Sequence, residues 1–175
     1  KRRMANWSQD HDLVYIFMCV SFLADGEVDD SEKEAMRGNV KIMLPNVSDV
    51  EYQSMEDSVL EKFVSLGSDD ARKEQYKTSL GAVHSKYDGV DEDLFKVVKN
   101  LAYVARADDD IHVNEIELIE TAVSEWNMKD KISLMGVVIN QHKPVNVEFS
   151  VYCNNSLQTL HSDLKEKFVD RSEER

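Results

Sequence analysis

Two stretches of the chain resemble each other: residues 24–34 read ADGEVDDSEKE and residues 107–117 read ADDDIHVNEIE. The offset between them is constant at 83 residues. In each copy an apolar run ends in Ala-Asp, a short acidic stretch follows, and a Glu then stands where the next helix begins. We name residues 25–32 the first acidic segment and residues 108–115 the second acidic segment. The repeat predicts internal duplication of a helical hairpin.

Helical periodicity extends over most of the chain around the two acidic segments. The apolar spacing predicts six helices, within residues 13–24, 29–45, 48–67, 68–88, 91–105 and 113–126. Asp29 with Glu32, and Ser48 with Glu51, match the capping-box pattern at a helix start. The first and fifth helices are apolar on most sides, so we expect them to be buried and to pair at the centre. A pseudo-twofold axis would then bring the two acidic segments near one another.

The C-terminal part of the sequence follows a different pattern. Residues 129–138 suit a short seventh helix, residues 145–152 alternate as one extended segment after Pro144, and Leu157, Leu160, Leu164 and Phe168 predict a last amphipathic helix. That helix either packs on the core or binds a partner. The predicted organisation is an N-terminal arm (1–9), a helical domain (10–143) and a C-terminal extension (144–175).

Composition excludes several classes of protein. The chain has 175 residues and a formal net charge of −13, which argues against nucleic acid or anionic lipid as the main partner. Its longest apolar run is too short to cross a bilayer, which predicts no membrane insertion. Two unpaired cysteines indicate neither a disulfide scaffold nor a zinc framework, so the expected location is the cytoplasm. No nucleophile or phosphate-binding motif is present, which predicts a protein that is not an enzyme.

Each acidic segment carries metal-ligand side chains at equivalent positions. They are Asp25, Glu27, Asp29 and Glu32 in the first, and Asp108, Asp110, His112 and Glu115 in the second. Carboxylates at alternate positions of a tight loop can converge on a hard cation such as calcium. The alternative is equally open: acidic residues near a helix N-terminus are favoured by the helix dipole and by capping, without any metal.

The duplicated Ala-Asp-Gly-Glu-Val-x-x-x-Glu motif resembles the TerB-like family, which includes tellurite-resistance proteins and the N-terminal region of DjlA-type co-chaperones. The resemblance covers about residues 10–140. It implies an all-α bundle of seven or more helices with internal duplication, and an acidic cluster that binds divalent metal. The family's Asp positions correspond to Asp25 and Asp108, and its helix-start Glu positions to Glu32 and Glu115. His112 departs from the usual Ser or Thr and weakens the preference for calcium at that position.

Two functional hypotheses follow. The first is a non-enzymatic, divalent-cation-binding domain that acts as a stress-associated sensor or scaffold, with calcium preferred and magnesium, manganese or zinc as alternatives. The second is a metal-independent protein–protein interaction module, in which the acidic segments cap helices and the acidic surface binds a protein partner.

Overall fold

The computed structural model describes residues 7–23, 30–105 and 113–129, apart from the side chains of residues 31 and 32, and the backbone of residues 132–133 and 150–151. Within these ranges the chain forms six α-helices: α1 (Gln9–Met18), α2 (Asp30–Met43), α3 (Asp49–Ser65), α4 (Asp69–Lys86), α5 (Asp91–Ala105) and α6 (Val113–Glu125). A π-helical segment, Cys19–Leu23, directly continues α1. The predicted all-α class is therefore confirmed for this part of the chain, whereas the internal duplication stays a prediction.

Two short strands follow the helices. Strand β1 (Ile132–Ser133) pairs antiparallel with β2 (Ser150–Val151), and Ile132 lies opposite Val151. Two residues of the extended segment predicted at 145–152, Ser150 and Val151, therefore pair with another part of the chain, which the sequence pattern did not identify. The two β1 residues are extended rather than part of the seventh helix predicted at 129–138. The amphipathic helix predicted at residues 157–168 lies outside the described residues.

Side-chain caps determine where several helices begin. The Ser48 hydroxyl accepts a hydrogen bond from the Glu51 amide at 3.1 Å, and the Glu51 carboxylate accepts one from the Ser48 amide at 3.0 Å. This confirms the capping box predicted for α3. The Ser68 hydroxyl caps α4 in the same way, through the Ala71 amide at 3.1 Å. Between these helices Gly67 has φ +80°, a left-handed conformation that ends α3 and that glycine adopts without steric cost.

Helix α1 and its π-helical continuation form the centre of the domain. Every residue from His11 to Phe22 is buried. Helix α1 packs against α2, α3 and α4, whereas the π-helical segment packs against α2, α4, α5 and α6. Burial of each large apolar side chain in this core contributes about 1.5–3 kcal/mol. No helix in the described ranges combines the length and hydropathy that crossing a membrane requires.

Three long-range hydrogen bonds attach side chains to backbone carbonyls on other helices. The Tyr15 hydroxyl donates to the Arg72 carbonyl at 2.9 Å, which joins α1 to α4. The Tyr76 hydroxyl donates to the Leu118 carbonyl at 2.6 Å, which joins α4 to α6. The indole of Trp126 donates to the Leu80 carbonyl at 2.9 Å, at the same helix pair. These bonds satisfy polar groups that burial would otherwise leave unpaired.

Candidate functional site

Most of the predicted metal ligands lie outside the described residues. These are Asp25, Glu27 and Asp29 of the first acidic segment, and Asp108, Asp110 and His112 of the second. Glu32 belongs to α2, but its side chain is also outside the description. The convergence of these groups on one cation therefore stays a prediction.

Glu115 is the predicted ligand whose side chain the structure places. It lies in the first turn of α6 and is 2% exposed. A carboxylate at a helix N-terminus is stabilised by the helix dipole. A carboxylate that is removed from water also needs hydrogen bonds or positive charge around it, because burial disfavours its ionised form. Glu115 has interaction partners of its own in the structure.

The elements that flank the two acidic segments pack together. The first segment follows the π-helical segment and leads into α2, and the second follows α5 and leads into α6. Helix α2 packs on α5, α5 packs on α6, and the π-helical segment contacts all three. The four elements that flank the two acidic segments therefore belong to one packed unit.

Outside the acidic segments, the described residues contain no group of three or more His, Cys, Asp or Glu side chains able to hold a metal ion. Several buried polar groups of the described domain form two clusters between helices, one around Asp12 and one around Glu56, and neither was predicted from the sequence.

The first cluster joins α1 to α4 around Asp12, which is 7% exposed. Its carboxylate accepts a 2.7 Å hydrogen bond from the Ser79 hydroxyl, which in turn accepts one from the Gln75 amide at 3.1 Å. Burial raises the pKa of Asp12, and the Ser79 hydrogen bond is the largest influence that opposes the rise. The sequence contained one signal for the burial of Asp12. Tyr15, Ile16 and Cys19 follow it at three, four and seven residues, which places Asp12 on the same side of the helix as these apolar residues.

His11 closes the N-terminal end of this cluster. Its Nδ1 accepts a 3.0 Å hydrogen bond from the Ser8 amide, which places the imidazole in the role that Glu or Gln has in a capping box. The ring of Trp7 stacks on the imidazole with centroids 5.1 Å apart. Burial lowers the pKa of His11, although the nearby Asp10 and Asp12 carboxylates act in the opposite direction. Burial therefore disfavours the protonated imidazolium at this site.

The second cluster lies between α2 and α3 around Glu56, which is 5% exposed. Arg37 Nη2 lies 3.6 Å from Glu56 Oε1 and donates a 3.2 Å hydrogen bond to Gln53 Oε1. The Arg37 guanidinium also lies over the ring of Tyr52, at 5.7 Å from the centroid. Burial raises the pKa of the Tyr52 phenol. Glu56 lies on the same side of α3 as the apolar residues Tyr52, Val59 and Phe63. This spacing was the sequence signal for its burial.

Cys19 is fully buried and packs as a small apolar residue of the core. Burial raises the pKa of its thiol to about 12. A thiol with so high a pKa supplies almost no thiolate at neutral pH and is a poor nucleophile. The described part of the chain therefore gives Cys19 a structural role.

Comparison with known proteins adds no identification. No family model, no curated protein and no solved structure matches the chain.

Proposed function

We propose that this protein is a non-enzymatic, TerB-like helical domain that binds a divalent cation through its two acidic segments. Calcium is the first candidate, and magnesium, manganese or zinc are alternatives. In this proposal the domain acts as a stress-associated sensor or scaffold, in which cation binding alters the stability of the packed unit formed by α2, α5, α6 and the π-helical segment.

The observation that carries the proposal is the concentration of acidic residues in two matching places. The two acidic segments hold nine Asp and Glu residues in 16 positions and contain no Lys or Arg. Carboxylates crowded together raise one another's pKa and oppose folding unless positive charge offsets them. The deep burial of Glu115 adds support, because this predicted ligand is oriented toward the interior at the start of α6. The packing of the flanking helices also favours proximity of the two segments.

A metal titration of the full chain tests the proposal. After treatment with a chelator, the protein is titrated with each of the four cations, and heat of binding and melting temperature are measured. We expect at least one cation to stabilise the fold by about 2.7 kcal/mol at one hundred times its Kd. The paired substitution Asp25→Asn with Asp108→Asn should abolish the effect.

A matched control is available on α4, where Asp70 and Glu74 are exposed. Asp70→Asn with Glu74→Gln removes the same charge and should leave cation binding intact. If none of the four cations binds, or if the control pair abolishes binding as completely as the test pair, cation binding is not the function of the acidic segments.

A further inference from the structure

The outward side of α3 carries a regular stripe of exposed side chains. The positions recur at intervals of three and four residues, the spacing that places side chains along one side of a helix. We name this surface the α3 outer face, and it consists of Val50, Gln53, Asp57, Leu60, Glu61 and Val64. The opposite side of α3 is directed into the core through Tyr52, Met55 and Val59.

The α3 outer face combines exposed apolar side chains with acidic ones. Val50 is 80% exposed, Val64 is 63% exposed and Leu60 is 40% exposed. Single exposed apolar residues are ordinary, but three on one stripe of a single helix form a candidate contact surface. A shallow surface depression of about 480 Å³ lies along part of the stripe, between Val50 and Glu61. Its lining includes Asp57 and Glu61 but no Lys or Arg, and Leu60 and Val64 lie outside it.

One of the two acidic groups is held in place. Asp57 Oδ1 accepts a 3.0 Å hydrogen bond from Nε2 of the Gln53 side chain. Oε1 of the same side chain accepts a hydrogen bond from Arg37 on α2. Arg37 is itself anchored by the buried carboxylate of Glu56. A surface group that is already oriented loses less conformational entropy when a partner binds.

We infer that the α3 outer face binds a basic amphipathic helix from another protein. The partner would place apolar side chains against Val50, Leu60 and Val64, and a Lys or Arg against Asp57 and Glu61. Charge complementarity selects this partner. A second copy of the chain is disfavoured, because a twofold interface would set Asp57 and Glu61 against the same acids. This surface involves none of the predicted metal ligands, so the inference does not depend on cation binding.

The chain's own C-terminal amphipathic segment is a weaker candidate for this surface. Residues 157–168 contain two Lys and two acids, Asp163 and Glu166, so they offer little net positive charge. The basic helix of a separate partner matches the acidic stripe better.

Two designed peptides test the inference with the full chain. Both are amphipathic helices of three heptads, about 21 residues, with Leu along the contact stripe. One carries Lys beside that stripe and the other carries Glu. We expect the Lys peptide to bind in fluorescence anisotropy, with affinity that falls as salt rises, and the Glu peptide not to bind.

Charge reversal on the chain then locates the site. Asp57→Lys with Glu61→Lys should weaken binding of the Lys peptide at least tenfold. The control, Asp70→Lys with Glu74→Lys, makes the same change in net charge at the same spacing on α4 and should change affinity less than threefold. For the apolar part, Val64→Ser should weaken binding, whereas Val90→Ser, at a residue 46% exposed outside the stripe, should not.

Four results would overturn the inference. The Lys peptide could fail to bind, or the α4 control could weaken binding as much as the test pair. Alternatively, sedimentation could reveal a dimer that Val64→Ser dissociates, which would make a second copy the occupant. Likewise, if the peptide binds only after Leu157→Ser with Leu160→Ser in the full chain, the C-terminal segment is the occupant. Circular dichroism of each variant confirms that it has folded.

Discussion

The Ser79 hydroxyl donates a 2.7 Å hydrogen bond to the Asp12 carboxylate, which joins α4 to α1 across 67 residues of sequence. The acceptor is a carboxylate that is almost fully buried in the most apolar helix of the domain. A hydrogen bond to a charged group in such surroundings contributes more than one between neutral groups on the surface. This pair therefore connects the central helix to its neighbour at a point where apolar packing alone would leave a buried charge unsatisfied.

Removal of this hydrogen bond should destabilise the fold. We expect Ser79→Ala to lower the free energy of unfolding by about 2 kcal/mol, because Asp12 loses its hydroxyl donor while it stays buried. Urea denaturation at neutral pH measures the change. The neighbouring Thr78→Ala is the control, since Thr78 is exposed and bonds only within its own helix, and it should cost less than about 0.5 kcal/mol. Equal losses in the two variants would contradict the importance of the Asp12 contact.

The stability of the domain should depend on pH through His11. Burial lowers the pKa of His11 from its usual 6.5, so the unfolded chain takes up this proton at a higher pH than the folded chain. The stability contributed by neutral His11 is therefore complete above pH 6.5 and declines as pH falls below it. Asp12 has the opposite effect. Because burial raises its pKa, the folded chain keeps this proton to a higher pH than the unfolded chain does, and the free energy of unfolding declines as pH rises above 3.8. The other charges at this site are Asp10, paired with Lys86 at 2.7 Å, and Lys62 near the Trp7 ring.

The variant His11→Gln separates these contributions. Gln at this position can still accept the Ser8 amide hydrogen bond of a capping box but does not titrate. Melting temperatures between pH 7.5 and 5.5 should fall less for this variant than for the parent chain. The control is His84→Gln, at an exposed histidine on α4, which should retain the parent's pH dependence. An unchanged slope in His11→Gln would refute the assignment.

The Arg37–Glu56 pair gives a third prediction. Arg37→Met leaves the buried Glu56 carboxylate without its cation, and we expect a loss of about 1–2 kcal/mol, moderated by the partial exposure of Arg37. The double variant Arg37→Met with Glu56→Leu removes both charges and should recover most of that loss. Lys41→Met, in the exposed Lys41–Asp49 pair, serves as the control and should cost less than about 1 kcal/mol. A double variant less stable than Arg37→Met alone would contradict this prediction, because it would show that Glu56 contributes to stability without Arg37.

The sequence predicted the features that depend on local patterns. Helical phase placed Tyr52, Met55 and Val59 on the buried face of α3, and the residue types at Ser48 and Glu51 predicted the cap that the structure contains. The Ser8–His11 cap was not predicted, because histidine at the third helical position is not part of the usual capping pattern.

Features that depend on tertiary packing were harder to predict. Asp12 and Glu56 have the phase of core residues, but a sequence does not reveal that the Ser79 hydroxyl will bond to Asp12 or that Arg37 will lie beside Glu56. The pairing of β1 with β2 also joins segments 17 residues apart in sequence, too far for a tight hairpin turn to set the register. The predicted ligand set of the acidic segments stays a prediction, since Glu115 is its one member with a described side chain.

The π-helical winding of residues Cys19–Leu23 limits how far the internal repeat can be symmetric. The offset of 83 residues aligns Val20 with Tyr103, yet Val20 lies in a π-helical turn and is fully buried, whereas Tyr103 lies in the α-helical α5 and is partly exposed. A π-helical turn holds more residues than an α-helical one, so the two helices lose angular phase with each other before the acidic segments begin. Residues paired by the 83-residue offset therefore point in different directions about their helix axes, and the two copies do not share one geometry.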